Sequence, residues 1–128
     1  MGDRGNIAIK DGYGYVFLYT HWGGSLIAGV LRRVLAKKSG WEDPSYLARI
    51  IFQEMLNGDT GTTGYGIGLQ AADDVEHPIL VVDCDTRTVI AMPIGWVHDS
   101  NVKPKPLGRW TFEEFVTLKY IIDQVQRL

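Results

Sequence analysis

Tyr19-Thr20-His21-Trp22-Gly23-Gly24-Ser25 brings an imidazole, an indole, two glycine amides and a hydroxyl into one short run. A strand that ends in glycines ahead of an amphipathic helix leaves unpaired N–H groups at the positive end of a helix dipole, a setting that suits an anion or a phosphate. In that reading Gly23, Gly24 and Ser25 supply donors, Trp22 offers a ring on which a base would stack, and His21 adds charge. Arg4 joins them because a hairpin would return the first strand toward this turn. Tyr65, in a second glycine-rich stretch, and Trp96 and His98, in a connection full of breakers, are further candidate ligand contacts.

Other chemistries are less well served. No Gly-Lys-Ser/Thr follows the glycines of residues 58 to 68, and no spaced dinucleotide signature follows a strand, so the specific nucleotide motifs are missing. Asp83 and Asp85 lie two apart, as magnesium ligands or paired carboxylates would, but Asp-rich turns more often use those side chains to cap their own backbone. Cys84 is the single cysteine, so an intrachain disulfide and a multi-cysteine metal site are both excluded. We therefore expect no catalytic residue, resident metal or cofactor. With 13 Lys and Arg against 15 Asp and Glu and a net charge of -2, the chain does not look like a coat for duplex nucleic acid. No apolar run reaches membrane-spanning length, the N-terminus lacks signal-peptide regions, and cysteine is scarce, which together suggest a cytoplasmic setting without a membrane partner.

The elements that must position these residues can be read in order. Asn6 to Lys10 and Tyr15 to Thr20 form a hairpin around Asp11-Gly12, with Val16, Leu18 and Thr20 on one face and Phe17, Tyr19 and His21 on the other. Ser25 is expected to cap a helix whose apolar positions are Leu26, Ile27, Val30, Leu31, Val34 and Leu35, with Arg32, Arg33, Lys37 and Lys38 as its wet face. Asp43-Pro44 starts a second helix, apolar enough to be the most buried one, in which Arg49 must find water or an anion. Residues 58 to 68 are either a lid or a strand with Tyr65, Ile67 and Leu69 facing the core. Ile79 to Val82 and Thr88 to Met92 make a second hairpin. Pro93 to Trp110 is irregular, and Thr111-Phe112-Glu113-Glu114 is a capping box leading into a last helix with Phe115, Leu118, Ile122 and Val125 on its core side. The expected fold is a single α+β domain over residues 1–128, an antiparallel sheet of four or five strands with about three helices packed mainly on one face.

Gly2-Asp3-Arg4-Gly5-Asn6-Ile7, Val16-Phe17-Leu18-Tyr19-Thr20-His21-Trp22-Gly23-Gly24 and Pro44-Ser45-Tyr46-Leu47-Ala48-Arg49-Ile50-Ile51 resemble a family of short, functionally uncharacterised proteins of bacteria and their phages. The resemblance spans most of the chain, with the His-Trp-Gly-Gly element its most distinctive part. It implies a setting, since small phage and prophage proteins of this kind often act on host defence, including by sequestering nucleotide signals. The leading expectation is a non-catalytic binding protein for a small anionic, nucleotide-like ligand, with a homo-oligomer a natural way to enclose it. The alternatives are a small phosphodiesterase or hydrolase with His21 as general base, supported by Asp83 or Asp85, and a protein interaction module anchored by Trp22, Trp41, Trp96 and Trp110.

Overall fold

A computed structural model describes residues 2–72 and 75–117. The fold is α+β, built on a six-stranded sheet in the order β3-β2-β1-β4-β5-β6. Its strands are β1 (Gly5–Asp11), β2 (Gly14–Thr20), β3 (Tyr65–Gly68), β4 (Ile79–Asp83), β5 (Thr88–Met92) and β6 (Gly108–Thr111). Each half is a meander of neighbouring antiparallel strands, β1-β2-β3 and β4-β5-β6. The halves join along their first strands, β1 and β4, which run parallel with Ile7 opposite Leu80 and Lys10 opposite Asp83. The sheet is therefore mixed and has six strands, one more than the upper expectation, and its central seam is parallel. Among the described residues, the strand absent from the sequence reading is β6, whose first three residues end a stretch that reads as irregular and whose last, Thr111, opens the capping box.

Local signals explain most element ends. Asp11 Oδ1 accepts the Tyr13 and Gly14 N–H groups at 2.8 and 3.2 Å, which closes the first hairpin. Helix α2 (Pro44–Leu56) starts where Asp43 accepts the Ser45 and Tyr46 N–H groups and Pro44 gives up no bond. The Thr111/Glu114 capping box forms with both reciprocal bonds, at 2.8 and 3.0 Å, and opens α3 (Phe112–Thr117). Leu118, Ile122 and Val125 lie outside the described residues.

The helices cover one face. Ile7, Ile9 and Leu18 of the sheet meet Leu31, Val34 and Leu35 of α1 (Ile27–Ala36), Leu47 and Ile51 of α2, and Phe112 and Phe115 of α3. Contrary to the sequence expectation, α1 is the more buried helix: six of its ten residues are inside, whereas α2 buries Leu47, Ile51 and Met55 and leaves Tyr46 exposed. Arg49 resolves its expected conflict by facing water. Leu26, Ile67 and Leu69, read as core residues, are 64%, 63% and 79% exposed: Leu26 precedes α1, Ile67 lies in the edge strand β3, and Leu69 follows it. On the opposite face Ala8, Phe17, Ile79, Val81, Ile90 and Met92 form a second core, covered by Trp96 and Ala71 from the connections. That cover explains why β4 and β5 are buried at every position. Among the described residues no helix is long and apolar enough to cross a membrane.

Candidate functional site

The turn after β2 folds as a knot of backbone bonds. Thr20, fully buried, accepts the Gly23 N–H on Oγ1 at 3.0 Å. The His21 N–H donates to the Gly64 carbonyl at 2.8 Å, the Asp3 N–H to the His21 carbonyl at 2.8 Å, and the Gly24 N–H to the Asp3 carbonyl at 2.6 Å. Asp3 Oδ2 then accepts both the Ser25 N–H, at 2.9 Å, and the Ser25 hydroxyl, at 2.5 Å. Ser25 is thus no helix cap. It lies in the 3-10 turn Gly24–Leu26, and neither the start of that turn nor the start of α1 carries a side-chain cap bond.

All three donors expected to hold a phosphate are therefore satisfied within the chain. The physics that suggested an anion at this turn still applies, but the anion is the chain's own Asp3 carboxylate. Burial alone would push that carboxyl up; the Ser25 hydroxyl and amide, with His77, outweigh it and hold Asp3 below the usual carboxylate value.

Around the turn lies an open hollow of ≈ 460 Å³, within the size range of small-molecule sites. Trp22, Gly23, Ser25 and Tyr65 line it together with Leu26, Arg33, Glu54 and Asn57. Trp22 is 55% exposed, and its ring lies against the backbone of Gly64, where an added Cβ would overlap Cζ3 and stand 2.7 Å from Cε3. The His21 ring meets the indole edge-on at 4.9 Å and is itself held by Tyr19, whose hydroxyl is 2.9 Å from Nδ1. His21 thus braces the indole without lining the hollow. At the far wall Glu54 is paired with Arg33 at 3.2 Å and Lys37 at 3.7 Å, two cations to one anion. A second hollow, of ≈ 540 Å³, shares Glu54 and Asn57 with the first and adds Lys37 and Gln53.

The remaining candidates lie elsewhere. Arg4 is bound to Glu76 by its backbone N–H, at 2.8 Å, and by an ion pair at 3.6 Å. Trp96 and His98 meet Tyr15 and Phe17 in edge-on and tilted ring contacts on the sheet face away from the helices, so the sheet separates them from Trp22. Within one chain, Trp22 therefore shares no hollow with Trp96 and His98.

The proposed hydrolytic pair also fails on distance. His21 follows Thr20, opposite Gly5 at one end of β1, whereas Asp83 sits beside Lys10 at the other end. Five residues of strand separate them by ~17 Å. Asp83 Oδ1 accepts the Asp85 and Thr86 N–H groups, as the turn reading expects. Burial, followed by Asp83, Asp11 and Asp85, pushes the Cys84 thiol up to about 11, so it is no nucleophile near neutral pH.

Residues that sequence reasoning missed are Glu54 and Asn57, which no local pattern marks, and Arg33, which reads as solvated helix surface. Asp3, Glu76 and His77 were also missed as a group, because their proximity is purely tertiary. Compared with protein-family models, with curated proteins and with solved structures, the chain matches none.

Proposed function

We propose that this protein binds a small anionic, nucleotide-like ligand without turning it over, in the hollow between the β2 turn, α1 and the end of α2. The observation that carries the reading is the half-exposed Trp22 ring fixed against Gly64 at the mouth of a hollow that also holds Tyr65 and Arg33. A base would stack on the indole, and the phosphate would be drawn to the Arg33 and Lys37 pair rather than to the turn amides. Separation of His21 from Asp83 favours holding over hydrolysis. In the setting implied by the resemblance, such a protein would remove a host defence signal from solution, and a homo-oligomer would close the open side of the hollow.

The test is thermal unfolding against mono-, di- and cyclic nucleotides, with and without magnesium, followed by analysis of each recovered compound. A ligand of the folded state raises the melting temperature as its concentration exceeds Kd. Trp22→Ala should weaken the stabilising compound by about 5- to 160-fold, the range expected of one aromatic–base stack. Arg33→Ala should weaken compounds with more phosphates more strongly. Chemical conversion of the compound, or binding unchanged in Trp22→Ala, would overturn the reading.

A second reading has its own observation. Trp22, Leu26, Ile67 and Leu69 are all exposed near the β3 edge, and β3 carries no Lys, Pro or other charge of the kind that usually blunts an edge strand. Co-purification of a stoichiometric protein partner, lost on Ile67→Lys, would favour an interaction module.

A further inference from the structure

The N-terminal segment and the connection before β4 meet in a cluster that the nucleotide hollow does not use. Asp3, Glu76 and His77 each present one ligand atom, and these atoms all lie within 4.8 Å of one another. His77 Nε2 is 2.5 Å from Asp3 Oδ1. We propose that Asp3, Glu76 and His77 form a binding site for a divalent transition-metal ion of the zinc class.

Three features distinguish the cluster from a chance group of surface charges. The donor set is one imidazole nitrogen with two carboxylates, the mixture that suits zinc, manganese or iron and gives too few oxygens for calcium. Each ligand is also held in place by a group outside the trio. Asp3 Oδ2 is taken by the Ser25 N–H and hydroxyl, which leaves Oδ1 facing His77. Glu76 Oε2 accepts the Arg4 N–H, Oε1 lies 3.6 Å from the Arg4 guanidinium, and the Glu76 N–H returns a bond to the Arg4 carbonyl at 3.1 Å, so an ion would compete with Arg4 for Oε1. The His77 ring lies against Gly24, where an added Cβ would stand 2.6 Å from Cδ2, so its orientation is fixed by a buried glycine. Partners of this kind orient metal ligands and raise affinity. Finally, the side chains are 35%, 45% and 20% exposed in the order Asp3, Glu76 and His77. An ion can reach them from solvent and would keep positions open to water or another ligand.

The arrangement is too tight for an ion as it stands. Metal–ligand bonds of about 2.0–2.2 Å place neighbouring ligands about 3.3 Å apart, so His77 and Asp3 would part by somewhat under an ångström.

The experiment is a titration of the untagged, full-length protein with Co²⁺, read by visible d–d absorption, followed by displacement with Zn²⁺. Saturation at one ion per chain is expected, with affinity at least about tenfold lower in His77→Ala and in Glu76→Gln. His98→Ala, on the far face of the sheet, should bind as the parent does. Circular dichroism of each variant separates loss of the ion from loss of the fold, and the more conservative Glu76→Gln covers the case in which His77→Ala unfolds. If the folded parent takes up no Co²⁺, if both ligand variants bind as it does, or if His98→Ala abolishes uptake, the site is not metal-binding. It is then a hydrogen-bonded clasp that ties residue 3 to residue 77. The proposal stands or falls independently of the nucleotide reading.

Discussion

Gly64→Ala is the substitution on which the seating of Trp22 can be tested most sharply. Gly64 has φ +92°, a conformation that costs a residue with a Cβ ~1–2 kcal/mol. The same Cβ would overlap the indole, so Trp22 would have to swing away. Trp22 is 55% exposed, so a little under half of it is covered. For a side chain of ~250 Å² this is ~110 Å², worth ~2.5 kcal/mol if the whole contact is lost. Gly64→Ala should therefore destabilise the fold by about 3.5–4.5 kcal/mol. Two other glycines separate the terms. Gly58, at φ +83° with nothing within 4 Å of an added Cβ, carries the strain alone, and Gly58→Ala should cost ~1–2 kcal/mol. Gly66, also with nothing within 4 Å and without that strain, should accept Ala within about 0.5 kcal/mol. The assay is urea unfolding followed by far-ultraviolet circular dichroism, because tryptophan emission is itself perturbed. If Gly64→Ala costs no more than Gly58→Ala, the indole is not seated on that backbone, and the floor of the proposed binding site is lost with it.

Two further outcomes follow from the caps and the thiol. Asp43→Ala removes the acceptor of two N–H groups at the start of α2 and should cost about 1 kcal/mol by the same assay, with Asp43→Asn recovering most of it; an unchanged midpoint would deny the cap any weight. The Cys84 thiol, raised from 9.0 to about 11, should react with iodoacetamide much more slowly in the native protein than in urea near pH 8. Since the unfolded chain gives up that proton first, the contribution of Cys84 to stability is complete below about pH 9 and declines as pH rises toward 11. Cys84→Ser should flatten this decline, and an identical alkaline profile in both proteins would refute it.

The sequence by itself determined the features whose causes act over a few residues. The first hairpin and its facing, the Asp43-Pro44 helix start, the Thr111/Glu114 box, the β4-β5 hairpin and the apolar stripe of α1 were legible because each is fixed by a nearby side chain or a period. Trp22, Gly23, Ser25 and Tyr65, singled out from turn chemistry and glycine spacing, line one hollow.

Tertiary structure alone decided what those residues face. Only the sheet order makes β3 an edge, which exposes Ile67 and Leu69 despite a core-like pattern. Only the parallel β1–β4 seam places His21 and Asp83 at opposite ends of the sheet, and only the sheet itself puts Trp96 and His98 behind it. The Gly24 and Ser25 amides read as free donors because their acceptor, Asp3, is remote in sequence, 22 residues from Ser25, and His77 is brought to Asp3 across 74. A backbone donor has no preference for a ligand over a carboxylate of its own chain. Which one it meets depends on the path of the whole fold, and no local pattern encodes that path.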